Sequence, residues 1–195
     1  MTIDPTRTAV LALHWQVNVI EPDGFFGGML AGPVARSGAA PRAVLFHDAA
    51  RAAGIPVVFG RFVIPAGEGG LVRNTGFMAA VGDAQESFRP DAAGAQLIPA
   101  MAGQADRLAD TQKLSALAGN DLPIWLADNG IDTLLLTGVA TNLVVEQTAR
   151  HGTDLGYTVH PVADCVAAAT PEAHAASLAN LDLATAGVRC AADLF

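Results

Sequence analysis

Short apolar runs alternate with stretches in which apolar residues recur every three or four positions, from one end of the chain to the other. The runs predict strands over residues 8–13, 55–63, 106–110, 133–137, 158–162 and 187–190, the third being the least apolar. Helical spacing predicts helices over 40–53, 122–129, 142–155 and 171–181, with a short further helix over 76–86. Local signals agree with these limits. Thr170 followed by Pro171 reads as an N-cap with proline at the first helical position, and Gly130 and Gly156 stop the helices before them. Strand and helix alternating in this way predict a three-layer α/β/α fold around a mainly parallel sheet of about six strands. Two stretches resist regular assignment: 64–75, rich in glycine, and 88–104, with Pro90 and Pro99. Long loops in a compact domain serve as lids or subunit contacts.

A chain of 195 residues supports one sizeable core, so a single domain over 1–195 is expected. Hydrophobic residues make up 51% and charged residues 15%, which suits a packed globular domain. The longest apolar runs, such as 133–139, are strand-length and far below the roughly 18 residues that span a bilayer, so no membrane association is expected. The opening MTIDPTRTAVLAL sets an acid and a proline ahead of a short strand, the wrong order for a secretory signal, which implies a cytoplasmic protein. A net charge of −8 without a basic cluster argues against nucleic acid as a partner. Cys165 and Cys190 cannot frame a disulfide scaffold for a domain of this size, and they read as buried free thiols. His47, His151, His160 and His174 form no HxH or HExxH spacing, so no metal is implied. No glycine motif follows a strand in the manner of a phosphate cradle, which removes dinucleotide and nucleoside-triphosphate cofactors.

The densest information lies in residues 131–165, IDTLLLTGVATNLVVEQTARHGTDLGYTVHPVADC. A buried strand feeds a tight turn and a helix N-terminus, whose first amides and positive dipole end face the crevice where open α/β sheets bind ligands. The core GVATNLVVEQTARHGTDLGYTVHPVADC resembles the isochorismatase-like (cysteine hydrolase) superfamily, with its pattern GVATNxCVExTARxAxxxGYxVxxVxDA. The resemblance implies that amidase-type members carry their catalytic cysteine at the position of Val144. An isopropyl group forms no acyl-enzyme, so covalent amide hydrolysis of the usual kind is excluded there. It also implies a cis peptide bond between Val139 and Ala140, aiming backbone amides of the 139–142 turn into an oxyanion hole that Val144 leaves in place.

Two further positions follow from the resemblance. Lys113, the sole lysine beside ten arginines, lies in ADTQKLSALAGNDL, which loosely resembles the family's KxxxSAFxGTDL. An ammonium there orients a carboxylate, holds a carbonyl or tunes a neighbour. His14 ends the first strand in AVLALHWQVN, where relatives have Asp-x-Gln: Gln16 matches and the aspartate that serves as general acid or base is replaced. A histidine can take over an acid/base role, and burial with a nearby ammonium would hold it neutral. It can equally be a histidine satisfied at a strand end. Gln16, Val139, Ala140, Thr141, Asn142 and Val144 are expected to line the substrate site, and Arg61, in GRFVIP, either binds an anionic substrate or lies at the surface.

These readings support a hydrolase of the isochorismatase-like family that acts on a small anionic metabolite without a cysteine nucleophile, cleaving an enol ether or related bond with His14 and Lys113 as catalytic groups. Two alternatives stay open: an inactive member that binds a small ligand or protein partner, and a non-hydrolytic isomerase or lyase with His14 as base. The resemblance implies a homodimer or homotetramer and no organic cofactor.

Overall fold

The structure, a computed structural model, describes residues 3–195. Five strands form one parallel sheet: β1 (Thr8–Leu13), β2 (Val57–Phe62), β3 (Arg107–Thr111), β4 (Thr133–Val139) and β5 (Thr158–Ala167), in the spatial order β3-β2-β1-β4-β5. Among the described residues seven α-helices accompany them: α1 (Val17–Ile20), α2 (Gly27–Ser37), α3 (Ala39–Ala52), α4 (Gly76–Asp83), α5 (Leu122–Asp128), α6 (Glu146–Asp154) and α7 (Pro171–Ala184).

Strand alternation divides the core into two layers. Val10 and Ala12 of β1 and Leu135 of β4 face α2 and α3, meeting Leu30, Val34, Ala43 and Phe46. Leu11, Leu13, Leu134 and Leu136 face the other way, onto Leu122 and Leu126 of α5, Ala149 of α6 and Leu181 of α7. Every residue of β1 and β2 is buried, as expected of central parallel strands covered on both faces. A third, smaller cluster of Phe62, Ile64, Met78, Val81 and Phe88 gathers beyond the carboxyl edge of the sheet, under α4.

The sixth strand expected over 187–190 is not a strand. Arg189 makes one parallel bridge to Val162, donating to the Pro161 carbonyl at 3.0 Å and accepting from the Ala163 amide at 2.7 Å. The segment is caught between Gly187, at φ +98°, and a 3-10 turn that starts at Ala191, so it has no length for a second rung. β5 in turn runs past the expected 162 to Ala167. The helix expected over 142–155 begins as a π-helical turn, Thr141–Val145, before α6. α1 and α2 fill a stretch whose Gly27, Gly28, Gly32 and Pro33 hide its helical spacing; Pro33 sits inside α2, while Leu30, Ala31 and Val34 bury its inner face. Of the two irregular stretches, 64–75 carries no helix or strand, and 88–104 holds the end of a 3-10 turn (Gln85–Phe88), two further 3-10 turns, Ala93–Ala95 and Pro99–Met101, and a single antiparallel bridge from Leu97 to Gln16. No helix among the described residues is long and apolar enough to cross a membrane.

Gly138 is where β1 and β4 come closest. It pairs with Leu13, has φ +141°, and a Cβ built on it would stand 2.3 Å from the Leu13 carbonyl oxygen. Gly138→Ala is therefore expected to cost at least about 3 kcal/mol or to abolish folding, read as a lower urea midpoint; a variant with the wild-type midpoint would contradict this account of the strand pair.

Candidate active site

β1 and β4 are neighbours in space but the chain leaves them in opposite directions along the sheet, β1 towards β2 and β3, β4 towards β5. Such a reversal opens a crevice at the carboxyl ends of the two strands, the usual ligand position in this class of sheet. His14 follows β1 directly and is only 8% exposed, with φ +54°, a left-handed conformation that few residues other than Gly, Asn, Asp and His adopt. Its amide donates to the Gly60 carbonyl at 2.9 Å, tying it to β2. The chain beyond is held by Gln16, fully buried, whose Nε2 donates to the carbonyls of Phe62 (3.1 Å) and Ala95 (2.8 Å) and whose Oε1 accepts from the Phe62 amide (2.8 Å). Gln16 therefore has no bonding capacity left on either side of its amide for a ligand beyond a second lone pair.

The crevice holds a cavity of about 50 Å³, walled by His14, by Val139, Ala140, Leu143 and Val144 of the turn after β4, and by a shell of phenylalanines. The Val139–Ala140 peptide bond is cis. Phe62 meets the His14 ring edge-on at 6.2 Å and Phe88 at 5.6 Å, while Phe26 stacks on Phe77 at 5.6 Å. Met29 and Phe77 stand at the mouth, 49% and 39% exposed. His14 is the one side chain in this wall that bears nitrogen or oxygen, and its Nε2 is buried without a hydrogen-bond partner. Burial alone pushes its imidazole down to about 4, so at neutral pH it is uncharged.

The other candidates are placed elsewhere. Lys113 extends its ammonium to the Gly70 carbonyl at 2.5 Å and lines a separate, open cavity of about 770 Å³ with Ser115, Arg150 and His151; it contributes nothing to the His14 cavity. In the spacing of the motif KxxxSAFxGTDL, the fourth residue before Ser115 is Thr111, the last of β3, fully buried and donating from its hydroxyl to the Ala118 carbonyl at 2.6 Å. Arg61 is engaged by both oxygens of Asp110 (2.8 and 2.9 Å) and by Gln96 (3.2 Å). Asn142 is exposed, and Thr141 is buried with its hydroxyl 2.9 Å from His174 Nδ1. Cys165 lies inside β5, and burial followed by the Asp164 charge pushes its thiol up to about 12, far from a thiolate at working pH. Among the described residues no three His, Cys, Asp or Glu side chains converge as metal ligands would.

The model of the isochorismatase domain matches residues 8–193, nearly the whole chain. The chain belongs to the isochorismatase family. The uncharacterised isochorismatase family protein YwoC of Bacillus subtilis (strain 168) is 36% identical over 85 residues, 43% of this chain and 45% of that protein, so the match spans less than half of the relative. Among solved structures, a cysteine hydrolase from Pseudomonas syringae pv. phaseolicola 1448A superposes with a TM-score of 0.82 at 24% identity, over 99% of this chain and 92% of that one. An isochorismatase family protein from Burkholderia thailandensis superposes with a TM-score of 0.76 at 28% identity, over 99% and 95%. This isochorismatase-family chain thus shares its fold with a cysteine hydrolase.

The phenylalanine shell was missed at the sequence level because residues 26, 62, 77 and 88 come from four separate segments; the Phe25-Phe26 pair next to Gly27 and Gly28 was the one local signal. The uncharged His14 generates a stability prediction. A histidine whose pKa falls on folding makes the unfolded state bind more protons, so its penalty is absent above about pH 6.5 and grows as pH falls towards 4. His47, buried and pushed down to about 3, adds a further loss of the same sign. Urea unfolding of the wild type is expected to lose about 3 kcal/mol between pH 7 and pH 4 on account of His14, and His14→Asn, which suits the backbone, should remove that share of the slope; equal slopes in both proteins would refute it.

Proposed function

We propose that this isochorismatase-family member binds a small, uncharged, largely apolar molecule in the crevice between β1 and β4, without covalent hydrolysis. The observation that carries the reading is the cavity wall, in which a neutral imidazole is the single polar side chain and Val144, whose side chain forms no acyl-enzyme, lies at the helix start. A carboxylate entering it would give up its water and meet no guanidinium or ammonium, at a cost of several kcal/mol. Arg61 and Lys113, the cations that an anionic substrate would need, are held by Asp110 and by the Gly70 carbonyl. The His14 ring is the one side chain of the wall that can offer a ligand a hydrogen bond and so an orientation; its unpartnered Nε2 is itself buried and comes into reach only as the wall opens.

As it stands, the cavity of about 50 Å³ admits a few atoms, whereas a benzene-sized ligand fills roughly 150 Å³. Met29 and Phe77, exposed at the mouth, are the side chains free to swing aside. A second reading, cleavage by acid/base catalysis through His14, draws on the same orphaned nitrogen. Burial leaves His14 uncharged at pH 7, which removes the acid half of such a reaction and makes His14 a weak base, and the reading therefore ranks second.

Benzyl alcohol and benzamide are expected to raise the melting temperature saturably, benzoate to have little effect, and none to be consumed. Val144→Phe, which fills the cavity, should abolish the shift while leaving the unliganded melting temperature within a few degrees. Turnover of an amide or enol ether that disappears in His14→Asn would establish the second reading instead, and tighter binding of benzoate than of benzamide would sink the first.

A further inference from the structure

Among the ten arginines, Arg7, Arg51, Arg61, Arg73, Arg89, Arg107 and Arg150 are paired with carboxylates, and Arg36, Arg42 and Arg189 are not. In a chain with 19 acidic residues an unpaired guanidinium is conspicuous, and two of the three wall one open cavity of about 510 Å³ beyond the carboxyl end of β5. Arg36 comes from the last turn of α2 and makes no hydrogen bond; Arg42 comes from α3 and donates only to backbone, from Nε to the Asp164 carbonyl (2.8 Å) and from a terminal nitrogen to the Ser37 carbonyl (2.7 Å). These two bonds fix the Arg42 fork without neutralising it, and its second terminal nitrogen is unspent. One carboxylate shares the wall, Asp164, and its Oδ1 already accepts from the Ala191 amide at 2.9 Å. The first turn of α7, with Pro171 and His174, opens onto the same space and adds the positive end of a fourteen-residue helix. The cavity thus carries a local positive charge on a molecule whose net charge is −8.

We propose that this cavity is a second binding site, for a small molecule bearing an oxyanion, carboxylate or phosphate, gripped by Arg36 and Arg42. Guanidinium forks suit such groups because their parallel N–H donors match paired oxygens. The site is distinct from the His14 cavity yet adjacent to it. Val139 pairs with Ala167 in the sheet, so the walls of the two cavities stand on neighbouring strand ends. Met29, Pro33 and Arg36 lie on one face of α2, spaced over about 10 Å from the apolar cavity to the arginines.

The cavity contains its own reporter. Cys190, expected to be buried, is instead an exposed thiol in its wall because it follows the single bridge at Arg189 and leads into a surface turn, while Cys165 is buried and unreactive. Alkylation of Cys190 by iodoacetate and by neutral iodoacetamide, at fixed ionic strength, compares an anion with its uncharged counterpart on one sulfur. The expected result is an iodoacetate-to-iodoacetamide rate ratio several-fold above that of glutathione, and saturable protection by inorganic phosphate or malonate that potassium chloride does not reproduce. Protection by phosphate alone would mark a phosphate ligand, by malonate alone a carboxylate. Arg36→Gln, a surface substitution that removes no hydrogen bond, should raise the half-saturating concentration about tenfold, while Arg150→Gln on another face should not. Protection matched by potassium chloride, or unchanged in Arg36→Gln, would overturn the proposal.

Discussion

The pairing of β1 with β4 is the contact on which the remainder depends. Six consecutive rungs, Thr8 to Thr133 through Leu13 to Gly138, join two strands far apart in sequence. The hydrogen bonds are buried and the side chains of both strands feed two cores at once, so register is set by apolar packing on either side. Because the chain departs from the pair in opposite directions, its two ends cannot both be covered by one crossover helix. The gap that follows is a property of topology, and it exists whatever side chains surround it.

What fills the gap is bulk rather than charge. Charged side chains in such a desolvated space are stable only where each is offset by another. Here Val144 and an uncharged His14 line the crevice, and aromatic rings close around them. The arrangement is internally consistent: with no ammonium present, an aspartate at position 14 would be a lone buried charge, whereas an imidazole can shed its proton. Local electrostatics and local packing therefore agree at this edge of the sheet.

Much of this was legible in the chain. β1 and β4 are uninterrupted apolar runs ended by a polar or glycine residue, and the GVATN turn with its helix start marks the crevice without help from tertiary structure. α2 was not legible, because three glycines and a proline lower its helical propensity and only burial of Leu30 and Val34 compensates. Lys113 misled through its residue type: the chain places a lysine two positions beyond the end of β3, where the backbone has turned away towards Gly70. Arg61 misled because its partner, Asp110, sits on a different strand; the two are register neighbours only once β2 and β3 pair. The phenylalanines of the cavity had no common sequence signature at all.

The left-handed backbone at His14 bears on how such a protein could arise. At that φ a branched or bulky aliphatic residue is strained, whereas glycine, asparagine, aspartate and histidine are tolerated. The backbone at the end of β1 thus narrows the alphabet available to evolution at this site. Among the residues that this backbone tolerates, histidine is the largest. Position 14 is a place where conformation, before chemistry, decides which residues natural variation can try.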